Sequence, residues 1–286
     1  MAFFQRLDDA TFLPTPATGG AWNTNEQHIA PAIGLIAHVL ELDSAKRGHG
    51  FEVARLSYDI LGPIPIEPVQ MQVAVVRPGR TIELVECTLL HNQRPAVRLR
   101  AWLMQSRDSG RVAGTPFPMI ASAEMMSPWD PSTIWPGEFI KNVEIRRELQ
   151  QPGRARYWAR SRQPLLEGEP VSELARAAAL FDIANGMAVR ALPQEVAFPN
   201  LDLTVHLFDR PQGEWLGFDT SVSFGPHGIG LTSSVVHDER GPIGTIGQAL
   251  TVRLEHAVPL GLECFGQPCR ATTISTGRCS VDCAAP

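Results

Sequence analysis

The stretch LLHNQRPAVRLRAWLM, residues 89–104, returns about 145 residues later as VVHDERGPIGTIGQALTV, residues 235–252. Each runs through two aliphatic residues, a His, an Asn or Asp, a polar residue, an Arg and a Pro, and then enters an apolar strand; one gap aligns them. Upstream, ARLSYDILGP (54–63) corresponds to LDLTVHLFDRP (201–211), and both alternate in the manner of a strand that buries one face. Self-similarity at one fixed separation is the mark of a duplicated structural unit.

The order of elements repeats as well. In the first half NEQHIAPAIGLIAHVLELD (25–43) carries apolar residues at helical spacing, with Asn23 or Thr24 as caps and Pro31 placed in the first turn. Strands follow at 51–61, 67–77, 80–91 and 95–105, separated by the turn sequences RPGR and HNQRP. The second half gives a helix at 171–190 and strands at 200–209, 214–224, 228–237 and 242–253. Between the halves a Pro-, Gly- and Ser-rich linker carries Phe117, Trp129, Trp135 and Phe139, aromatics that would pin it to the surface of the fused halves. Residues 141–165 then read as a hairpin turning at Pro152–Gly153, with Trp158 directed inward and the second sheet extended. One helix followed by four antiparallel strands, twice over, predicts an α+β fold in which a curved sheet wraps its own helices. The domain reading is 1–108, a linker at 109–140, a second unit at 141–262 and a polar tail at 263–286.

With 286 residues, 44% hydrophobic and 19% charged, the chain has the composition of an ordinary globular protein. A net charge of -5 and only 25 Lys and Arg, in no basic stripe, argue against a nucleic-acid partner. No apolar run approaches the ~20 residues that span a bilayer. The N-terminal MAFFQRLDDATFLPT puts acidic residues where a signal peptide has its apolar segment, so a cytoplasmic location is expected. Cys264, Cys269, Cys279 and Cys283 bunch at the end, but their spacing is looser than a zinc knuckle and no His stands among them. A polar tail too poor in apolar residues to order itself is the plainer reading.

Three polar residues stand in apolar settings of the second half: Asp182 in ALFDIANGM (179–187), Asn200 at the start of NLDLTVHLF, and Gln248 in IGTIGQALTV. Their aligned positions in the first half are apolar where they can be matched, Val53 for Asn200 and Ala101 for Gln248. A site kept in one copy and filled with packing in the other would leave this asymmetry. Each residue alone has a duller explanation: a helix carboxylate facing solvent, a strand-entry cap, a polar face residue. Asp202 is a competing carboxylate that strand alternation puts on the face of Asn200. His28 and His206 have no Ser or Cys nucleophile beside them in a recognisable motif.

The arrangement resembles the acyl-CoA thioesterases of the double-hotdog type over residues 1 to about 254. GGAWNTNEQHIAPAIGLIAHVLE is similar to the opening hotdog helix, and VVRPGRTIELVECTLL to the turn of the first sheet. The most specific likeness is LDLTVHLFDRPQGEWLGFDTSVSFGPHGIGLTSSVVHDERGPIGTIGQAL, in the second. The resemblance implies two fused hotdogs whose single continuous antiparallel sheet wraps two central helices. It also implies a general base on the second helix, a Thr or Asn before the LD pair and a Gln late in a strand, which fall on Asp182, Asn200 and Gln248. A carboxylate can take a proton from water, while two amides, each with a donor and an acceptor, orient that water. The expected substrate is a fatty or other acyl-CoA, hydrolysed to acid and CoA in lipid metabolism with no metal and no cofactor, by a monomer or a homo-oligomer of double-hotdog protomers. A non-catalytic acyl-thioester or lipid-binding protein is the alternative, and a hydratase ranks third because DIANGM offers no His. Where many relatives have a glycine pair after the first helix's His, this chain has Ile29 and Ala30.

Overall fold

The computed structural model describes residues 2–48 and 50–254; the expected tail and the last residues of the second unit lie outside them. Two short strands, β1 (Phe4–Arg6) and β2 (Thr11–Pro14), lead to helix α1 (Ile29–Lys46). The cap is His28 rather than Asn23 or Thr24: its Nδ1 accepts the N–H of Ala30 at 3.1 Å. Pro31 falls in the first turn as expected, where its missing N–H has no helical partner to lose. From Ala30 to Ala37 every residue of α1 is buried, the pattern of a helix enclosed on all sides rather than laid on a surface.

Four strands follow: β3 (Phe51–Ile60), β4 (Val69–Arg77), β5 (Ile82–His91) and β6 (Arg94–Gln105). The linker adds β7 (Ser127–Trp129) and the one-turn helix α2 (Glu138–Lys141). Beyond it lie β8 (Val143–Gln151), β9 (Arg154–Ser161), helices α3 (Glu173–Phe181) and α4 (Ala184–Met187), and six strands. These are β10 (Val196–Ala197), β11 (Asp202–Leu207), β12 (Leu216–Phe224), β13 (Ile229–Asp238), β14 (Gly241–Thr251) and β15 (Arg253–Leu254). Thirteen of the strands form one sheet in the order β1-β2-β4-β5-β6-β3-β11-β14-β13-β12-β9-β8-β7, while β10 and β15 pair apart. Neighbouring strands are antiparallel throughout. The halves join at β3 and β11, from Asp202 opposite Asp59 to His206 opposite Arg55, and Ser57 Oγ lies 2.9 Å from Thr204 Oγ1 across that seam. This is the double hotdog that the resemblance implies, and its two halves repeat as the duplication predicts.

The sheet registers refine the repeat. Leu90 opposite Pro95 and His237 opposite Pro242 follow equivalent irregularities in the two hairpins, so Leu90 is the structural counterpart of His237 and the alignment gap belongs in the turn. Along the strands themselves Val85 faces Ala101 in the first half and Thr232 faces Gln248 in the second.

Two further expectations are corrected. The 171–190 helix ends at Phe181, with Asp182 as its C-cap, because the N–H of Ile183 bonds back only three residues, to Leu180, and tightens the last turn. Trp158 is buried, but on the outer face of the sheet: Tyr157 enters the main core, so its neighbour must point the other way. The linker covers it with Ile120, Ala123 and Met126, and its Nε1 donates to the carbonyl of Ala121 at 2.7 Å.

The two helices run antiparallel, since the start of α1 meets the end of α3 at His28 and Asp182 while the cap of α3, Ser172, bonds Glu41 of α1. They cross where Gly34 faces Ala175 and Ala179; a Cβ on Gly34 would stand 2.6 Å from the Cβ of Ala179 and 2.9 Å from the carbonyl of Ala175. Neither neighbour is a flexible side chain, so the helices would have to separate. Gly34→Val should lower the urea midpoint by an amount equivalent to about 2 kcal/mol or more, the upper range for overpacking. Gly247→Ala, on β14 with nothing within 4 Å of its added Cβ, should stay within about 0.5 kcal/mol of wild type.

Candidate active site

The early end of α3 leaves Asp182 in a cavity of about 160 Å³ at the meeting of the two halves. The first half contributes the loop before α1 and the end of β3, including Trp22, His28 and Ile60; the second contributes Asp182, Asn185 and Asn200. Trp135 closes one side from the linker. Its ring packs edge-on against Trp22 and Phe198, and its Nε1 donates to the carbonyl of Gly186 at 2.8 Å. The linker is thus part of the site's wall, a role its composition did not disclose.

Asp182 is held on one oxygen. Asn200 Nδ2 donates to Oδ1 at 2.8 Å, and also to the carbonyl of Asp202 at 3.2 Å, which fixes the amide's orientation. Asp182 Oδ2 accepts no hydrogen bond from any described residue and lies 3.6 Å from His28 Nδ1. That pair is not an ion pair. Burial pushes the His28 imidazole down to about 3, and its Nδ1 lone pair already accepts the Ala30 N–H, so the ring is neutral with its proton on Nε2. Burial also pushes the Asp182 carboxyl up to about 7, against the opposing pull of the Asn200 hydrogen bond. A carboxyl poised near neutrality with one free oxygen can give or take a proton at working pH.

Of the three residues singled out in the sequence, Asp182 and Asn200 meet directly. Gln248 lies on the inner face of β14, two residues from Leu250, which bridges Asn200; one strand repeat is roughly 7 Å. It is 1% exposed, and neither its Nε2 nor its Oε1 has a hydrogen-bond partner among the described residues. Asp202 is not the competitor that alternation suggested. Its Oδ1 accepts the N–H of Ala249, because the chain departs from regular pairing between Asn200 and β11. His206 is exposed on the seam strand. His28, set aside in the sequence as a lone histidine, reaches the site through its capping role, and its place just before an apolar helical run was the available signal.

A single antiparallel sheet enclosing two antiparallel helices, with a buried carboxyl where the halves meet, defines a double-hotdog protein. Residues 18–104 match the acyl-CoA thioesterase N-terminal domain and residues 118–252 the acyl-CoA thioesterase C-terminal domain; the chain belongs to the acyl-CoA thioesterase family and is a thioester hydrolase. No curated protein sequence is significantly similar to it. Among solved structures it is similar to acyl-CoA thioesterase II TesB2 from Mycobacterium marinum, at 15% identity and a TM-score of 0.63, covering 88% of this chain and 96% of that one. A conserved hotdog-fold protein of unknown function from Alicyclobacillus acidocaldarius is 15% identical with a TM-score of 0.68, covering 87% and 96%. The dehydratase domain of the curacin polyketide synthase is also similar, at 10% identity and a TM-score of 0.50 over 77% and 83%, so the fold alone does not choose the chemistry.

The raised carboxyl has a consequence for stability. Between the ordinary value of 3.8 and about 7 the folded state keeps a proton that the unfolded chain has lost, so this group makes stability fall as pH rises through that window. Above it the full penalty of a buried ionised group is present. Asp182→Asn should therefore raise Tm at pH 8 and leave it unchanged near pH 3.5, as read by thermal unfolding at the two pH values. An equal Tm at pH 8 would mean that the carboxylate is well solvated.

Proposed function

We propose that the chain hydrolyses acyl-CoA thioesters by a water that Asp182 deprotonates and that Asn200 and Gln248 orient. The observation that carries this reading is the hydrogen bond from Asn200 to Asp182 Oδ1, which leaves Oδ2 free beside the cavity on a carboxyl poised near 7. Oδ2 would take a proton from the water as its oxygen bonds to the thioester carbonyl carbon. The carbonyl electron pair moves to its oxygen, to which the first N–H of α1, on cavity-lining Ile29, would donate, since the first N–H groups of a helix have no partner within it. When the tetrahedral adduct collapses, the C–S bond breaks and the proton held by Asp182 passes to the departing sulfur, giving free acid and thiol. His28, neutral and already bonded to its own helix, would shape the pocket without exchanging protons.

The volume of about 160 Å³ accommodates the reacting end of the thioester. The bulky, charged nucleotide of CoA would stay outside. Asn200, with both Nδ2 hydrogens given to Asp182 and Asp202, can accept from the water through its Oδ1, and the Gln248 amide can donate and accept, whereas the apolar Val53 and Ala101 at the matched positions of the first half can do neither. One active centre per chain follows from that asymmetry.

Asp182→Asn preserves shape and hydrogen bonding but removes the base, and should cut release of free thiol from acyl-CoA by ~10²- to 10⁴-fold. Gln248→Ala should cost less, since the base remains. The wild-type kcat should rise with pH through about 7, as Asp182 ionises. Wild-type turnover by Asp182→Asn would overturn the assignment and favour a structural role for the carboxyl.

A further inference from the structure

On the inner face of the second half, next to Gln248 but on the neighbouring strand, stands a residue for which the proposed mechanism has no use. Thr232 lies directly opposite Gln248 in the β13–β14 ladder. It is fully buried, and its Oγ1 has no hydrogen-bond partner among the described residues. With both amide atoms of Gln248, three unpartnered polar atoms face inward on adjoining strands. Buried polar groups are nearly always paired, and an orphaned hydroxyl or amide is a lasting destabilisation unless something uses it.

The duplication supplies a control. In the first half the same cross-strand pair is Val85 opposite Ala101, both fully buried. This position of the fold therefore packs well without polarity, and Val has nearly the shape of Thr. The neighbouring polar pair on β12 and β13 differs too: Thr220 Oγ1 and Ser234 Oγ are 2.7 Å apart and satisfy each other. Thr232 has no such closure. Cross-strand Cβ atoms stand roughly 4.5–5.5 Å apart, a separation across which a hydroxyl and an amide that do not bond directly can share one water.

Resting on the reading of Gln248 given above, we propose that Thr232 is a positioning residue for the hydrolytic water. Its hydroxyl, through one buried water shared with the Gln248 amide, fixes which end of that amide is turned toward the hydrolytic water. A hydroxyl suits this because it can donate or accept, and so can match either end. A Gln held by apolar walls alone could flip between two near-isosteric orientations, and only one presents the correct partner to the water.

The test is Thr232→Val, which installs the first half's own residue. With an acyl-CoA that the wild-type enzyme turns over, kcat should fall by about tenfold, one hydrogen bond's worth, while KM stays within about twofold. Tm should hold, since the first half already packs a buried Val at the matched position. Thr232→Ser should restore most of kcat, and Thr232→Val should add little in a Gln248→Ala background. Wild-type kcat in the Val variant, additive losses in the double variant, or a fall in kcat matched by a fall in Tm would each overturn the proposal. A crystal structure of the wild-type chain gives a readout independent of turnover. An ordered water within hydrogen-bond distance of Thr232 Oγ1 and the Gln248 amide is expected, and a dry contact there would overturn the proposal even if Asp182 proves to be the base. Failure of the Asp182 assignment itself would instead show as undiminished turnover by Asp182→Asn.

Discussion

The close crossing of α1 and α3 at Gly34 is the contact on which the site depends. Because a glycine meets two alanines there, the helices approach nearly backbone to backbone, and because they run antiparallel, the start of one is brought to the end of the other. That juxtaposition places the cap of α1 beside Asp182. It also takes the carboxyl out of water, and the loss of hydration lifts its proton affinity into the neutral range. Helix packing and acid–base character are therefore one constraint: separating the helices would let water in and return Asp182 to an ordinary surface carboxyl.

The sheet does the complementary work. By pairing β3 with β11 it makes the two copies continuous, so that neither half needs an exposed edge at the seam, and both helices are enclosed. It then holds the amides on rigid backbone. Asn200 is anchored by its contact with the carbonyl of Asp202 and by its bridge to Leu250, and Gln248 by ladder pairing on β14. The symmetry of the fold contrasts with the asymmetry of its polar groups: where the second half has Asn200, Gln248 and Thr232, matched positions of the first have Val53, Ala101 and Val85. On the proposed reading one copy carries the site while the other contributes core.

The linker shows how a segment of irregular composition becomes structural. Its early part covers Trp158 on the outer face of the sheet, and its later part sends Trp135 into the wall of the cavity. Both tryptophans find a backbone carbonyl for their N–H, which is what allows such large amphipathic rings to be buried at low cost.

Much of this was written in the chain's own periodicities. The repeat at 89–104 and 235–252, the alternation of the strands and the apolar run of α1 determine the duplication, the antiparallel sheet and the enclosed helices, because side-chain periods of 2 and 3.6 follow from backbone geometry and need no tertiary information. The unusual polarity of Asp182, Asn200 and Gln248 was legible for the same reason, as exceptions to an apolar pattern. What only the tertiary structure decided is what those residues touch. Alternation put Asp202 beside Asn200, and an irregular pairing turned it to the N–H of Ala249 instead. Periodicity carried α3 past Asp182, and three-residue hydrogen bonding stopped it there. His28 gained its place beside Asp182 from the antiparallel approach of α1 to α3, a contact between segments far apart in sequence, and Thr232 its place opposite Gln248 from the β13–β14 register.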